Sequence, residues 1–339
     1  MFVNSADPQT TTSNAWLARF AKLVVCVTFV LVFIGGYTTT SGAGMAFADW
    51  PLSNGSLNPA GWWENFMMRL EHGHRLTAGL VMTLVLILFF WVLSRRRQLP
   101  RAAMPLASWA LVGVLSQAVL GGLRVILDPQ GIEATTTTIA TTFRILHGCF
   151  AQIEVCLVVS LAAVLSPMWS QIVVKPSFRK VARLGWLTAG FIFVQLIVGA
   201  TMRHLGAGLA IPTFPLAPGG GFMPKTHNAY VDMNFTHTRF LALLVAIHVI
   251  LLARRAIVSG EARLARPAVL LLVLLVAQVL LGMFVIWHLR PPVLTTLHVV
   301  NGAALFAATV FIAVRASHAP NADATNESAS THPLPEPQA

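Results

Sequence analysis

The sequence predicts an all-α fold: a polytopic membrane protein with eight transmembrane helices arranged as two pseudo-symmetric four-helix bundles. Three observations predict it. Of 339 residues, 56% are apolar and only 10% are charged, against about 25% charged in a typical soluble domain. The apolar residues gather into eight runs, each near the roughly twenty residues that cross a hydrocarbon core. Motifs in and after the first four runs recur in the last four.

The runs are 20–37, 74–93, 104–126, 143–165, 184–202, 235–253, 268–287 and 293–314. Lipid offers backbone amides no partner, so each run is predicted to be helical. Two polar connections, 38–73 and 203–234, are too long to be simple turns and are read as ordered, functional loops. The remaining divisions are an N-terminal segment (1–19), a first bundle (20–166), a linker (167–183), a second bundle (184–315) and a tail rich in Ala, Pro, Asn and Glu (316–339), read as disordered.

The net charge of +11 does not mark a nucleic-acid binder, because the basic residues lie between apolar runs rather than on one face. Fifteen of the 23 fall on one side of the predicted membrane, including Arg95, Arg96, Arg97, Arg254 and Arg255. The positive-inside rule makes that side cytoplasmic and puts both termini there. The polar N-terminus lacks a signal-peptide pattern, and an inner (cytoplasmic) membrane is expected. Cys26, Cys149 and Cys156 all fall inside apolar runs, with no disulfide framework.

The repeat is visible in short blocks. Gly42–Gly44 (GAG) and Asp49–Leu52 (DWPL) follow the first run; a second GAG at Gly206–Gly208 and TFPL at Thr213–Leu216 follow the fifth, both at an offset of 164. LSQAVLGG in the third run matches VAQVLLGM in the seventh, pairing Gln117 with Gln278. An even number of spans per copy makes the repeats parallel.

Four histidines lie at the outer starts of the even-numbered runs: His74, His147, His237 and His298. The repeat pairs His74 with His237 and His147 with His298. Imidazole is a common axial ligand of haem iron, and bundles build cofactor sites from facing helices. One histidine from each of two helices in each half gives two haem sites in the bilayer. Zinc or copper would also take imidazole, but no matching cysteine or carboxylate set accompanies the four. Arg75, Arg144 and Arg239 stand beside the ligands and suit haem propionates. His72, His204, His248 and His288 are read as packing or supporting residues, and His227, His318 and His332 as surface or tail.

The halves differ at one position. Glu71 precedes His74 by three residues, while Asn234 precedes His237 by three. A carboxylate beside a haem can move protons or stabilise developing charge. The first site is therefore the candidate for chemistry and the second for electron transfer; the alternative for Glu71 is a helix-start acid favoured by the macrodipole.

The eight spans, the duplicated unit, the GAG…DWPL loop and Glu71-x-x-His74-Arg75 together resemble the haem A synthase family, over about residues 20–315. The resemblance implies oxidation of the C8 methyl of haem O to a formyl group, by successive hydroxylations and loss of water, giving haem A for terminal oxidases. It implies haem O and haem A as substrate and product on His74 and His147, with Arg75 and Arg144. It implies a haem b cofactor on His237 and His298 with Arg239, and Glu71 as the catalytic carboxylate. It also implies haem O synthase and terminal oxidase assembly as partners, and leaves the electron donor, the oxidant and self-association open. Two departures stand out. Many relatives carry a cysteine pair in the first outer loop, where Phe47 and Ser53 stand here, so no thiol role is expected. The second motif reads His237-Thr238-Arg239, with one residue between ligand and arginine. The rival readings are a b-type electron-transfer cytochrome and a parallel-repeat transporter.

Overall fold

A computed structural model describes residues 8–128, 138–169 and 177–318. Eight helices in it are long and apolar enough to cross a membrane: α1 (Pro8–Thr40), α2 (Phe66–Arg95), α3 (Ala103–Ile126), α4 (Thr138–Val164), α5 (Phe178–His204), α6 (Ala229–Val258), α7 (Ala262–Trp287) and α8 (Pro292–Ala316). Among the described residues there is no strand, only an isolated bridge between Ser53 and Ser56. The first seven residues, the middle of the expected linker and the tail beyond His318 lie outside the described residues.

The helices outrun the apolar runs at their polar ends. α2 begins at Phe66, eight residues before its run, because the Asn65 side chain accepts from the Met67 and Met68 N–H groups. Asn228 caps α6 in the same way, through Tyr230 and Val231. Both caps satisfy amides that the helix start leaves orphaned. α1 likewise starts inside the expected N-terminal segment.

α1 to α4 pack in a ring, each against the next and α4 back against α1; α5 to α8 do the same. Across the middle, α1 meets α8, α4 meets α5, and α4 meets α8. Exchanging α1 with α5 and α4 with α8 maps this set of contacts onto itself. Close approach rests on small residues, as expected where lipid supplies no hydrophobic drive: a Cβ at Gly185 of α5 would come within 2.9 Å of the Ala313 Cβ on α8.

Packing is graded along the helices. One core joins Leu17, Val24, Val81, Val85, Leu88, Ala107 and Leu161; the other joins Phe178, Val249, Leu252, Leu264, Leu271 and Ile312. Both sit toward the arginine-rich end. Toward the histidine end, no residue of α2 between His72 and Val81 is buried, nor of α7 between Leu275 and Ile286.

Candidate functional site

The four repeated histidines lie inside their helices, not at their starts: six to nine residues beyond the first helical residue, about 9–14 Å at 1.5 Å per residue. The extra turns that Asn65 and Asn228 cap correct the expectation that His74 and His237 open their helices.

Each ring rests on a glycine of the preceding helix. A Cβ at Gly35 of α1 would lie 2.7 Å from His74 Cε1, at Gly121 of α3 3.2 Å from His147, at Gly199 of α5 2.5 Å from His237, and at Gly282 of α7 3.0 Å from His298. At Gly35 and Gly199 a Cβ could not enter without moving the ring, and at Gly121 and Gly282 it would meet the ring in a tight contact. The sequence carries the signal: Gly35 and Gly199 share the offset of the GAG blocks, and Gly121 and Gly282 share that of the glutamines.

Those glutamines act on the same histidines. Gln117, with its amide oriented to suit its neighbours, donates to His147 Nδ1 (3.1 Å) and accepts from the Ala151 N–H (3.0 Å). Gln278 Nε2 lies 3.3 Å from His298 Nε2, and its oxygen accepts from Asn301 (2.7 Å). Gln195, one helical turn before Gly199, donates to the His237 carbonyl (2.8 Å); sequence reading passed over it, because its counterpart in the first copy is Leu31.

Glu71 is buried, and it is not a helix-start acid, since α2 begins at Phe66. Its Oε2 accepts from the Ala46 (2.5 Å) and Phe47 (3.1 Å) amides, and its Oε1 pairs with Arg75 at 2.6 Å. Arg75 also donates to the Asp49 (2.7 Å) and Leu52 (2.5 Å) carbonyls. The DWPL loop is thus held over the end of α2. In the second copy Asn234 donates to the Ala207 (3.0 Å) and Gly208 (3.1 Å) carbonyls, and Arg239 donates to those of Thr213 (2.8 Å) and Pro215 (3.1 Å). The chemistry is reversed at one position, a carboxylate taking amides against an amide giving to carbonyls, while the task of fixing the loop is shared.

The extra residue between His237 and Arg239 now has a physical account. Residues Thr236–Leu241 form a π-helical turn within α6. Such a turn takes up one surplus residue without ending the helix. It swings Arg239 onto Thr213, the counterpart of the Asp49 that Arg75 grips, although the two arginines differ in register with their ligands.

Other outer cations are also engaged. Arg144 pairs with buried Asp128. Arg124 donates to the Gly44 carbonyl (3.0 Å), and Arg290 lies against Gly208, the matching glycine of the second GAG. Where relatives are expected to carry cysteines, Phe47 is 1% exposed and Ser53 bonds His72 Nδ1 at 3.0 Å. The three cysteines are free. His248 bonds the Leu244 carbonyl and packs at a tilt against Phe191, His288 bonds the Phe284 carbonyl, and His227 meets Asp232. His318, read as tail, packs against Trp169 with ring centroids 4.3 Å apart and the rings tilted by 53°.

Asp49 ties the first loop to itself by accepting from Asn54 and Gly55, each at 2.7 Å. Burial pushes its carboxyl up, but these amides and Arg75 outweigh burial and hold it below the usual carboxylate range. A depressed folded-state pKa stabilises the loop fully at neutral pH and is lost as pH falls through the folded value. Amide protection at Asn54 and Gly55 is therefore expected to drop below about pH 4; protection unchanged down to about pH 3 would rule this out.

The spacing of the second histidine pair fits haem. His74, His237 and His298 each keep a buried Nδ1 with no hydrogen-bond partner among the described residues. The His237 and His298 ring centres are 6.4 Å apart; one ion held from both sides by metal–nitrogen bonds of about 2 Å separates ring centres by about 6 Å. Among the described residues no three His, Cys, Asp or Glu side chains converge. Two ligands per site suffice for an iron whose other ligands come from a macrocycle.

The chain is 26% identical to a heme A synthase of Azorhizobium caulinodans over 318 residues, covering 84% of this chain and 88% of that one. It is 27% identical to one of Beijerinckia indica, covering 79% and 82%, and 25% identical to one of Staphylococcus haemolyticus, covering 69% and 74%. Residues 60–310, from the loop between α1 and α2 to the last helix, match the sequence profile of the COX15-CtaA cytochrome oxidase assembly proteins, and the chain belongs to that family.

Proposed function

We propose that this protein is an oxidoreductase that converts haem O to haem A, oxidising the C8 methyl to a formyl group by successive hydroxylations and loss of water. The observation that carries the reading is the pair of equivalent histidine sites with a carboxylate, Glu71, at one and an amide, Asn234, at the other. In this reading the first bundle (20–166) takes haem O on His74 and His147. The second (184–315) holds haem b on His237 and His298, and haem b supplies one-electron exchange when bound. The histidine end faces outward and the arginine-rich end faces the cytoplasm of an inner membrane.

The chain's own residues then have distinct tasks. The glycines fix where each imidazole stands, and Gln117 and Gln278 each place an amide N–H against the ring of the histidine on the next helix. Arg75, Arg239 and Asp128-paired Arg144 place positive charge where propionates enter, while the first two also hold the loops that close the site against water. Glu71, one turn from His74, supplies fixed negative charge and a proton-accepting oxygen.

The test is co-expression with a haem O synthase in a host that lacks haem A, followed by haem extraction and mass detection. Haem A is the expected product. Bound haem with no haem A, given haem O and a working reductant, would favour an electron-transfer cytochrome instead.

A further inference from the structure

Glu154 lies on α4, deep in the first bundle. It is 5% exposed, and neither carboxyl oxygen has a hydrogen-bond partner among the described residues. Ionisable groups inside membrane spans are costly and are retained for function. It also has a defined seat. α3 presents Gly113, Gln117 and Gly121 at four-residue spacing, and α4 answers with Glu154, Ala151 and His147. His147 rests on Gly121, Gln117 bonds both His147 and the Ala151 amide, and the Glu154 carboxyl lies against Gly113. The carboxyl thus continues, toward the packed end, the stripe that holds the first-site ligand.

The second copy lacks it. At the repeat offsets, Leu274 stands for Gly113 and Leu305 for Glu154. The second site therefore has an apolar residue where the first has an acid, a second difference between the halves besides Glu71 and Asn234.

Resting on the function proposed above, we propose that Glu154 is the residue by which the first site recognises the hydroxyl group of haem O. Haem O differs from haem b in bearing a hydroxyethylfarnesyl group in place of one vinyl, at the macrocycle edge opposite the propionates. With the propionates toward the arginines at the histidine end, that edge faces the packed end. Glu154 stands there, seven residues or about 10 Å along α4 from His147, and helical side chains lean back toward the helix start, here toward the ligand. A carboxyl meets a hydroxyl in either protonation state, as acceptor or as donor. Haem b carries no hydroxyl and leaves the acid unpaired, so the site rejects the more abundant haem as well as binding the right one. The apolar floor of the second site suits a haem with no hydroxyl to satisfy.

The experiment compares the full-length protein with Glu154→Met and Glu154→Gln, close in size but differing in polarity. Each is co-expressed with a haem O synthase, and haem b and haem O plus haem A are counted per chain by extraction. Glu154→Met is expected to lower haem O plus haem A about tenfold, the discrimination of one buried hydrogen bond, with haem b per chain no lower than in the unmodified protein and rising as the first site ceases to reject it. Glu154→Gln is expected to stay within about twofold of the unmodified protein. Equal loading in Glu154→Met, or equal loss in both variants with haem b retained, overturns the proposal and leaves the functional reading standing. Should Glu154→Met not accumulate in the membrane, a large loss in Glu154→Gln alone overturns it. An unmodified protein that takes up neither haem O nor haem A overturns the functional reading, and this proposal with it.

Discussion

With haem b on His237 and His298 as proposed, Gly199→Ala is expected to strip the protein of most of its low-spin haem b while leaving the protein in the membrane. The added methyl would stand 2.5 Å from His237 Cε1, well inside van der Waals contact. The ring has little room to retreat, because Gln195 on the same helix grips the His237 carbonyl and the ligand sits in the π turn. A forced shift of this kind costs about 1–3 kcal/mol, or about five- to 150-fold in affinity. The four cradles should rank by closeness within each half. Gly199→Ala should cost more haem b than Gly282→Ala, where the approach is 3.0 Å, and Gly35→Ala at 2.7 Å should cost more haem O than Gly121→Ala at 3.2 Å. The absorbance of the reduced b-type band and the extracted haem per chain measure this. Full haem in Gly199→Ala would mean that the cradle does not set the ligand position.

Glu71→Ala is expected to lower haem A formation by at least about tenfold, in the range that loss of one charged catalytic or positioning group produces, with the haem b spectrum intact. Two effects combine. The Ala46 and Phe47 amides lose their acceptor and Arg75 loses its ion pair, so the first loop loosens; the fixed charge beside His74 goes as well. Glu71→Gln separates them, because its oxygen can still take an amide while the charge is gone. Activity recovered in Glu71→Gln would assign the loss to loop closure. Full activity in Glu71→Ala would remove Glu71 from the mechanism.

The spans were legible because hydrocarbon leaves a chain of twenty apolar residues one solution, the helix. Their ends were not, because the added turns of α2 and α6 mix apolar residues with Arg69, Glu71, His72, Asp232 and Asn234 and start at single asparagine caps, Asn65 and Asn228, which a hydropathy pattern does not register. The four histidines were legible from the repeat. Their glycine seats were visible at the same offsets but carried no side chain to draw notice. The π turn left one trace, the displaced Arg239, which sequence reading took as a departure from pattern; the fold turns it into equivalence with Arg75. The loop partners of Glu71, Arg75 and Arg239 were beyond sequence, because they are backbone amides and carbonyls, which every residue possesses. Glu154 was passed over for a related reason: it sits in an apolar run, and its meaning comes from Gly113 across the helix interface.

Those backbone grips carry a consequence for how the loops can change over time. Arg75 and Arg239 hold carbonyls, and Glu71 and Asn234 hold amides and carbonyls, so none of these four clasps depends on which side chains the loops display. Mutational drift in the loops is then cheap so long as the chain path is kept. A covalent staple such as a cysteine pair becomes one way among several to keep that path. A chain with Phe47 and Ser53 in its place gives up that staple without giving up the lid.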